Sequence, residues 1–164
     1  MDHNEIYDLL KMTFGPERIL ENCKTGDEKK GYRDSFILIA KDALPEVCQF
    51  LRNDERLRFN LLHCISGVEW PEYFESVYHL FSLPCKHRVT LKVRVEKTEP
   101  RVPSVTGLWP AANWLERETY DMVGIVYDGH PSLTRILLPE EWEGHPLRKE
   151  YEMPDHEHLR EIGF

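Results

Sequence analysis

Arg88-Val89-Thr90-Leu91-Lys92-Val93-Arg94-Val95-Glu96 alternates polar and apolar side chains without a break. A strand points successive side chains to opposite faces, so Val89, Leu91, Val93 and Val95 belong in a core. The other face, with Arg88, Thr90, Lys92, Arg94 and Glu96, should be wet or covered by a partner. Two longer strands are expected before it, over residues 57–66 (apolar at Phe59, Leu61 and Ile65) and over residues 73–81, between Pro71 and Pro84. Shorter β-prone runs occupy residues 18–23 and 35–40, joined by a polar stretch, 24–31, suited to a hairpin loop. Ile6, Leu9, Leu10 and Phe14 recur at helical spacing behind Asn4, a candidate cap, and Gly15-Pro16 ends the run. Asp42 is placed to cap a second helix, with Pro45 in its first turn and Leu44, Val47, Cys48 and Leu51 on its buried stripe. The order helix–strand–strand–helix–three strands predicts an α+β fold, a two-layer sandwich with a mixed sheet.

The chain has 164 residues, enough for one domain. Its 41% hydrophobic and 30% charged residues suit a globular chain and exclude a disordered or fibrous one. No apolar run approaches the roughly 20 residues that cross a bilayer. The opening MDHNEIYDLL lacks the order of a secretory signal, so a cytosolic location is expected. A net charge of −8 argues against nucleic-acid binding, which draws most of its affinity from clustered cations. Residues 1–99 hold 15 basic and 17 acidic side chains and residues 100–164 hold 6 and 12, so the acidity gathers at the C-terminal end. Such an end is either a solvated face or a surface for a basic partner. Cys23, Cys48, Cys64 and Cys85 form no CxxC pair, so no iron–sulfur cluster or structural zinc is expected, and all four read as small core residues.

After residue 99 the texture changes. Seven of the eleven prolines and three of the four tryptophans lie in residues 100–164. The prolines leave room for one long element, a helix over residues 111–123, and the remainder reads as an irregular arm. The division expected is an α+β core domain over residues 1–99 with an arm over 100–164 lying on it and on a partner, one domain overall.

The densest polar cluster is Glu116-Arg117-Glu118 with Tyr120 and Asp121 on that helix. Glu116 and Tyr120 are four apart, as are Arg117 and Asp121, so each pair shares a face. Leu108, Leu115 and Met122 mark the side expected to be buried, with Glu118 at its border. One reading makes Glu118 a general base beside His130; the favoured one is an ion network tying helix to arm. Gly129-His130-Pro131 and Gly144-His145-Pro146 repeat a single pattern, in which glycine permits a turn, proline fixes it and histidine bonds from a set position. His156 and His158 flank Glu157 near the chain end. No HExxH, GxSxG, GxGxxG or GxxxxGK[ST] occurs, so no catalytic constellation and no phosphate cradle are present.

WLERETYDMVGIVY at 114–127 runs into DGHPSLTRIL at 128–137, and GHPLRKEY follows at 144–151. These motifs, with SVYHL at 76–80 and RVPSV at 101–105, resemble over roughly residues 55–155 the C subunit (30 kDa subunit; J in plastids) of respiratory complex I. Thr134 stands where that family commonly has a basic residue, and Glu150 where it has aspartate.

The resemblance implies a hydrophilic subunit of the peripheral arm that itself binds no flavin, cluster, metal or quinone. It implies docking on the large D (49 kDa-type) subunit at the cytoplasmic side of the inner membrane, with membrane association only through the complex. The complex passes electrons from NADH through FMN and Fe-S clusters in partner subunits to quinone, coupled to proton translocation. The residues expected to shape or dock the arm are Glu116, Arg117, Glu118, Tyr120, Asp121, Gly124, Gly129, His130, Pro131, Arg135, Gly144, His145, Pro146, Leu147, Arg148 and Lys149. The same resemblance admits the equivalent subunit of a membrane-bound nickel–iron hydrogenase, a formate hydrogenlyase or a dehydrogenase with another donor.

Overall fold

Helix α1 (His3–Phe14) begins at a reciprocal capping box. Asp2 Oδ1 accepts from the Glu5 main-chain N at 2.9 Å, and Glu5 Oε2 accepts from the Asp2 N at 2.7 Å. The cap is therefore Asp2 and not Asn4, which lies inside the first turn. The computed structural model describes residues 1–24 and 34–153. Beyond Lys24 the loop expected at 24–31 lies outside them, as do His156, Glu157 and His158.

Strands β1 (Ile19–Cys23) and β2 (Phe36–Ile39) pair antiparallel. A 3-10 turn, Lys41–Ala43, leads into α2 (Leu44–Asn53). Asp42 sits within that turn and caps nothing; Pro45 occupies the first helical turn, where its missing N–H has no partner to lose. Then follow β3 (Leu61–Glu69), β4 (Tyr73–Ser82) and β5 (His87–Glu96). The sheet order is β1-β2-β5-β4-β3, with β2 parallel to β5 and every other pairing antiparallel. This is the mixed sheet of the expected α+β fold.

The first of the three long strands departs from its expected bounds. Leu57 and Phe59 are fully buried in the irregular segment before β3, where the Phe59 carbonyl accepts from Trp109 Nε1 at 3.1 Å. A bulge between Leu62 and Cys64 then resets the alternation. Leu62 and Ile65 face the core as a result, and Leu61 turns outward.

The described helices cover one face of the sheet, over a core that includes Ile6, Leu10, Val47, Leu51, Tyr78, Leu91 and Val93. The opposite face carries a second, smaller apolar cluster, Cys23, Phe36 and Leu38, so β2 is buried on both sides. There Lys92 and Arg94 of β5 reach the fully buried Glu75 of β4 at 2.7 and 3.1 Å. Cys23 and Cys48 are buried as expected, but Cys64 and Cys85 are only half-buried, and all four are free thiols. None of the described helices is long and apolar enough to cross a membrane.

Residues 101–128 are more regular than their prolines suggest. Strand β6 (Arg101–Pro103) pairs in parallel with β7 (Val126–Asp128), closed at its rim by an Arg101–Asp128 ion pair. Between them lies α3 (Ala112–Val123). Val102, Val105, Trp109, Ala112, Val123, Ile125 and Tyr127 join the same apolar cluster as the first half of the chain.

Helix α3 packs close against β3 at Gly67, where an added Cβ would lie 2.7 Å from Thr119 Cγ2 and 3.1 Å from Val123 Cγ2. Gly67→Ala should therefore lower stability by about 1–3 kcal/mol in denaturant unfolding. Adding Thr119→Ser, which deletes the clashing methyl, should recover part of that loss.

Candidate functional site

The buried stripe of α3 is polar where apolar spacing alone placed Leu108, Leu115 and Met122. Those three are only partly buried, whereas Ala112, Glu116, Thr119, Asp121 and Val123 are fully covered. Neither four-apart pair forms. Glu116 turns away from Tyr120 and accepts from the Val105 N at 2.8 Å and the Ser104 hydroxyl at 2.7 Å, holding the turn after β6. Arg117 donates to the Thr134 carbonyl, the Thr134 hydroxyl and the Arg135 carbonyl at 3.0, 2.9 and 3.1 Å, while its guanidinium stacks 4.9 Å from the Trp114 ring. Thr134, where a basic residue is common, thus serves as an acceptor.

Asp121 gathers the arm. Its Oδ1 accepts from Arg135 Nη1 at 2.7 Å, and its Oδ2 from the main-chain N of Ile136, Leu137 and Leu138 at 2.9, 2.8 and 3.1 Å. The second guanidinium nitrogen of Arg135 reaches the carbonyls of Trp142 and Gly144 at 2.8 and 2.9 Å. The 130s are thereby tied to the 140s through one side chain.

The second motif closes the C-terminal end of α3, where the last carbonyls of a helix lack internal partners. His145 Nδ1 donates to the Asp121 carbonyl at 3.0 Å, Leu147 N to Met122 at 2.9 Å, and Arg148 Nε to Val123 at 2.8 Å. Gly124 ends the helix at φ +82, and a Cβ there would lie 2.4 Å from Arg148 Nη2 and 2.5 Å from His145 Cδ2, so only glycine fits. Arg135 and Arg148 also set positive charge at the negative end of the helix dipole. Tyr120 meets the His145 ring edge-on at 6.0 Å. The Lys149 main-chain N donates to Glu69 Oε2 of β3 at 2.6 Å.

His130 accepts from the Ser132 N at its Nδ1 (3.0 Å), so its Nε2 carries the proton and donates to the Asn113 carbonyl at 3.1 Å. Both ring nitrogens are thus committed to the chain's own backbone, and neither is directed at Glu118. Gly129 and Gly144 take φ of +81, and Pro131, Leu147 and the Lys149 side chain face outward. Pro146 is half-buried and Glu118 exposed. Glu69, Ser104, Asn113 and Trp142, which anchor the motifs, carry no local pattern that announces the role. Among the described residues, no three His, Cys, Asp or Glu side chains group to hold a metal. A cavity of about 380 Å³ lined by His63, His79, Phe81, Arg88 and Thr90 lies away from the two glycine-histidine-proline motifs and includes His79 of the SVYHL stretch.

Burial pushes Asp121 up, but Arg135 and the three main-chain N–H groups outweigh it and hold its carboxyl below the usual range. Its stabilising contribution is lost as pH falls through that depressed pKa. Burial raises Glu116 from 4.5 to about 7 against the pull of Val105 N and Ser104. Below pH 4.5 the folded and unfolded chains both keep that proton. Between about 4.5 and 7 only the unfolded chain releases it, so this site costs stability as pH rises through the window. Glu116→Gln should gain on the natural chain by on the order of 3 kcal/mol between pH 4.5 and 8. Urea denaturation of both at the two pH values checks this, and a pH-independent difference would contradict it.

The sequence and the fold are matched elsewhere. Residues 37–157 match the family model described as respiratory-chain NADH dehydrogenase, 30 Kd subunit. The C subunit of the NADH-quinone oxidoreductase of Roseiflexus sp. (strain RS-1) is 51% identical over 120 residues, which span 71% of this chain and 69% of that one. Its counterpart from Saccharopolyspora erythraea is 50% identical over 117 residues, spanning 69% of this chain and 47%, about half, of the relative. Among solved structures, a trypsin-resistant fragment (1–134) of Nqo5 aligns at 35% identity with TM-score 0.53, over 63% of this chain and 85% of that one. A chain of the membrane-bound sulfane sulfur reductase, an archaeal respiratory membrane complex, shares the fold at TM-score 0.72 and 21% identity, over 98% and 90% of the two chains. The chain belongs to the family of the 30 kDa subunit of respiratory-chain NADH dehydrogenase, the C subunit of NADH-quinone oxidoreductase.

Proposed function

We propose that this chain is a docking and assembly subunit that carries no cofactor and no catalytic residue of its own. Residues 1–99 serve as a core domain, and the arm over 100–164 meets the large D (49 kDa-type) subunit. FMN, iron–sulfur clusters and the quinone site reside in partner subunits, and the chain sits peripherally at the cytoplasmic side of the inner membrane through them. NADH oxidation, quinone reduction and coupled proton translocation are work of the whole complex.

The observation that carries this is what the two motifs are spent on. Glu116, Arg117, Asp121, His130, Arg135, His145 and Arg148 all bond to the chain's own main chain or to each other. None is left poised for proton transfer or nucleophilic attack. Among the acidic side chains that the latched arm exposes, Trp114, Leu137 and Leu147 also face outward, each more than half exposed. Exposed large side chains on a rigid frame are the composition of a protein interface. An equivalent docking subunit in a complex with another electron donor is the alternative, supported only by the fold shared with the sulfane sulfur reductase chain.

Breaking a buried ion pair by removing one partner costs about 3–5 kcal/mol. Asp121→Ala, and Arg117→Ala to a smaller extent, should therefore reduce the yield of assembled complex while turnover per assembled complex stays close to normal. Subunit recovery and NADH:quinone activity of complexes purified in mild detergent measure both quantities. Full assembly with lost turnover would overturn the docking role.

A further inference from the structure

We propose that the outer edge of β3, with the groove between β3 and α3, receives an extended basic segment of a partner subunit. This segment adds as a sixth strand and sets a lysine or arginine against Glu118. The proposal deepens the docking role above and rests on it.

Three observations converge on this edge. First, β3 ends the sheet, and among the described residues no main-chain hydrogen bond reaches its outer side. Natural edge strands are blunted with lysine, proline, inward charge or a bulge. Its sequence, LLHCISGVE, holds no lysine and no proline, and its single acid, Glu69, is engaged by Lys97 and the Lys149 main chain. The bulge lies at Leu62–Cys64, which leaves residues 65–69 regularly paired to β4 and open on the other side.

Second, a groove of about 240 Å³ runs beside this stretch, lined by Ile65, Gly67, Thr119, Met122, Leu147 and Glu118. Leu147 on its rim is 64% exposed. A strand laid about 4.8 Å from β3 would direct alternate side chains into this groove.

Third, of the Glu116-Arg117-Glu118 run, the first two are consumed internally, and Glu118 makes no hydrogen bond or ion pair among the described residues. It supplies the one charge of an otherwise largely apolar groove. That charge decides the occupant. A second copy would bring another Glu118 and a second net charge of −8 to the same edge, whereas a basic segment completes it. A strand is favoured over a helix because one wall is main chain, which only an extended segment can satisfy.

The test is amide hydrogen exchange, read by mass, on the full chain alone and within the complex purified from its membranes. Residues 65–69 should exchange about tenfold or more slowly in the complex than in the free chain. Glu118→Lys should abolish that protection and Glu118→Gln reduce it, while residues 135–148 stay protected in both. Protection of 135–148 without any at 65–69 would overturn strand addition and leave the docking role standing. No protection of either segment would overturn both. Full protection in Glu118→Lys would overturn the basic contact, and protection of 65–69 in the free chain at rising concentration would assign the edge to a second copy.

Discussion

The Asp121 carboxylate, buried and held by Arg135, is the constraint on which the second half of this molecule depends. Residues 129–153 form no helix or strand, so their main-chain groups have no ladder to bond to. One carboxylate satisfies three consecutive amides, and its cationic partner takes two carbonyls farther along. An irregular segment acquires a defined path because a charged pair stands in for a sheet. The cost of burying those charges is offset by the number of bonds each makes.

The end of α3 sits at the same point. Its final carbonyls would need water or caps, and the second glycine-histidine-proline segment supplies them in sequence through His145, Leu147 and Arg148. Two motifs separated along the chain therefore form one object, a capped helix with its arm folded back. Glu116 extends the same logic to the other side by gripping the turn after β6 from inside the core. Once these latches are closed, Trp114, Leu137, Leu147 and Glu118 are among the side chains left for a neighbour to touch.

Much of the core was legible because burial there follows simple period. Residues 88–96 alternate strictly and so do the faces of β5, and the order of elements predicted the mixed α+β sheet. Legibility failed where two local signals competed or where a choice depended on atoms far away. Asp2 and Asn4 are both good caps, and the choice fell to the one with Glu5 three residues on. The bulge at Leu62–Cys64 put both Leu62 and Ile65 on the core side, which unbroken alternation forbids. The polar stripe of α3 was invisible to a count of apolar residues, because Glu116, Thr119 and Asp121 are buried through partners at Ser104, Leu115 and Arg135. Side-chain spacing of four allowed the pairs Glu116–Tyr120 and Arg117–Asp121, and distant partners took both acids instead.

By itself, then, the sequence determined the layered core, the turns and the family to which the chain belongs, since periodicity, glycine and proline act through neighbours a few residues away. Tertiary structure alone decided what each charged residue of the motifs holds and which of them, Glu118 among others, are left facing out. The reason is physical. A buried carboxylate is stable only where donors converge on it, and those donors come from segments brought together by the fold rather than by spacing along the chain.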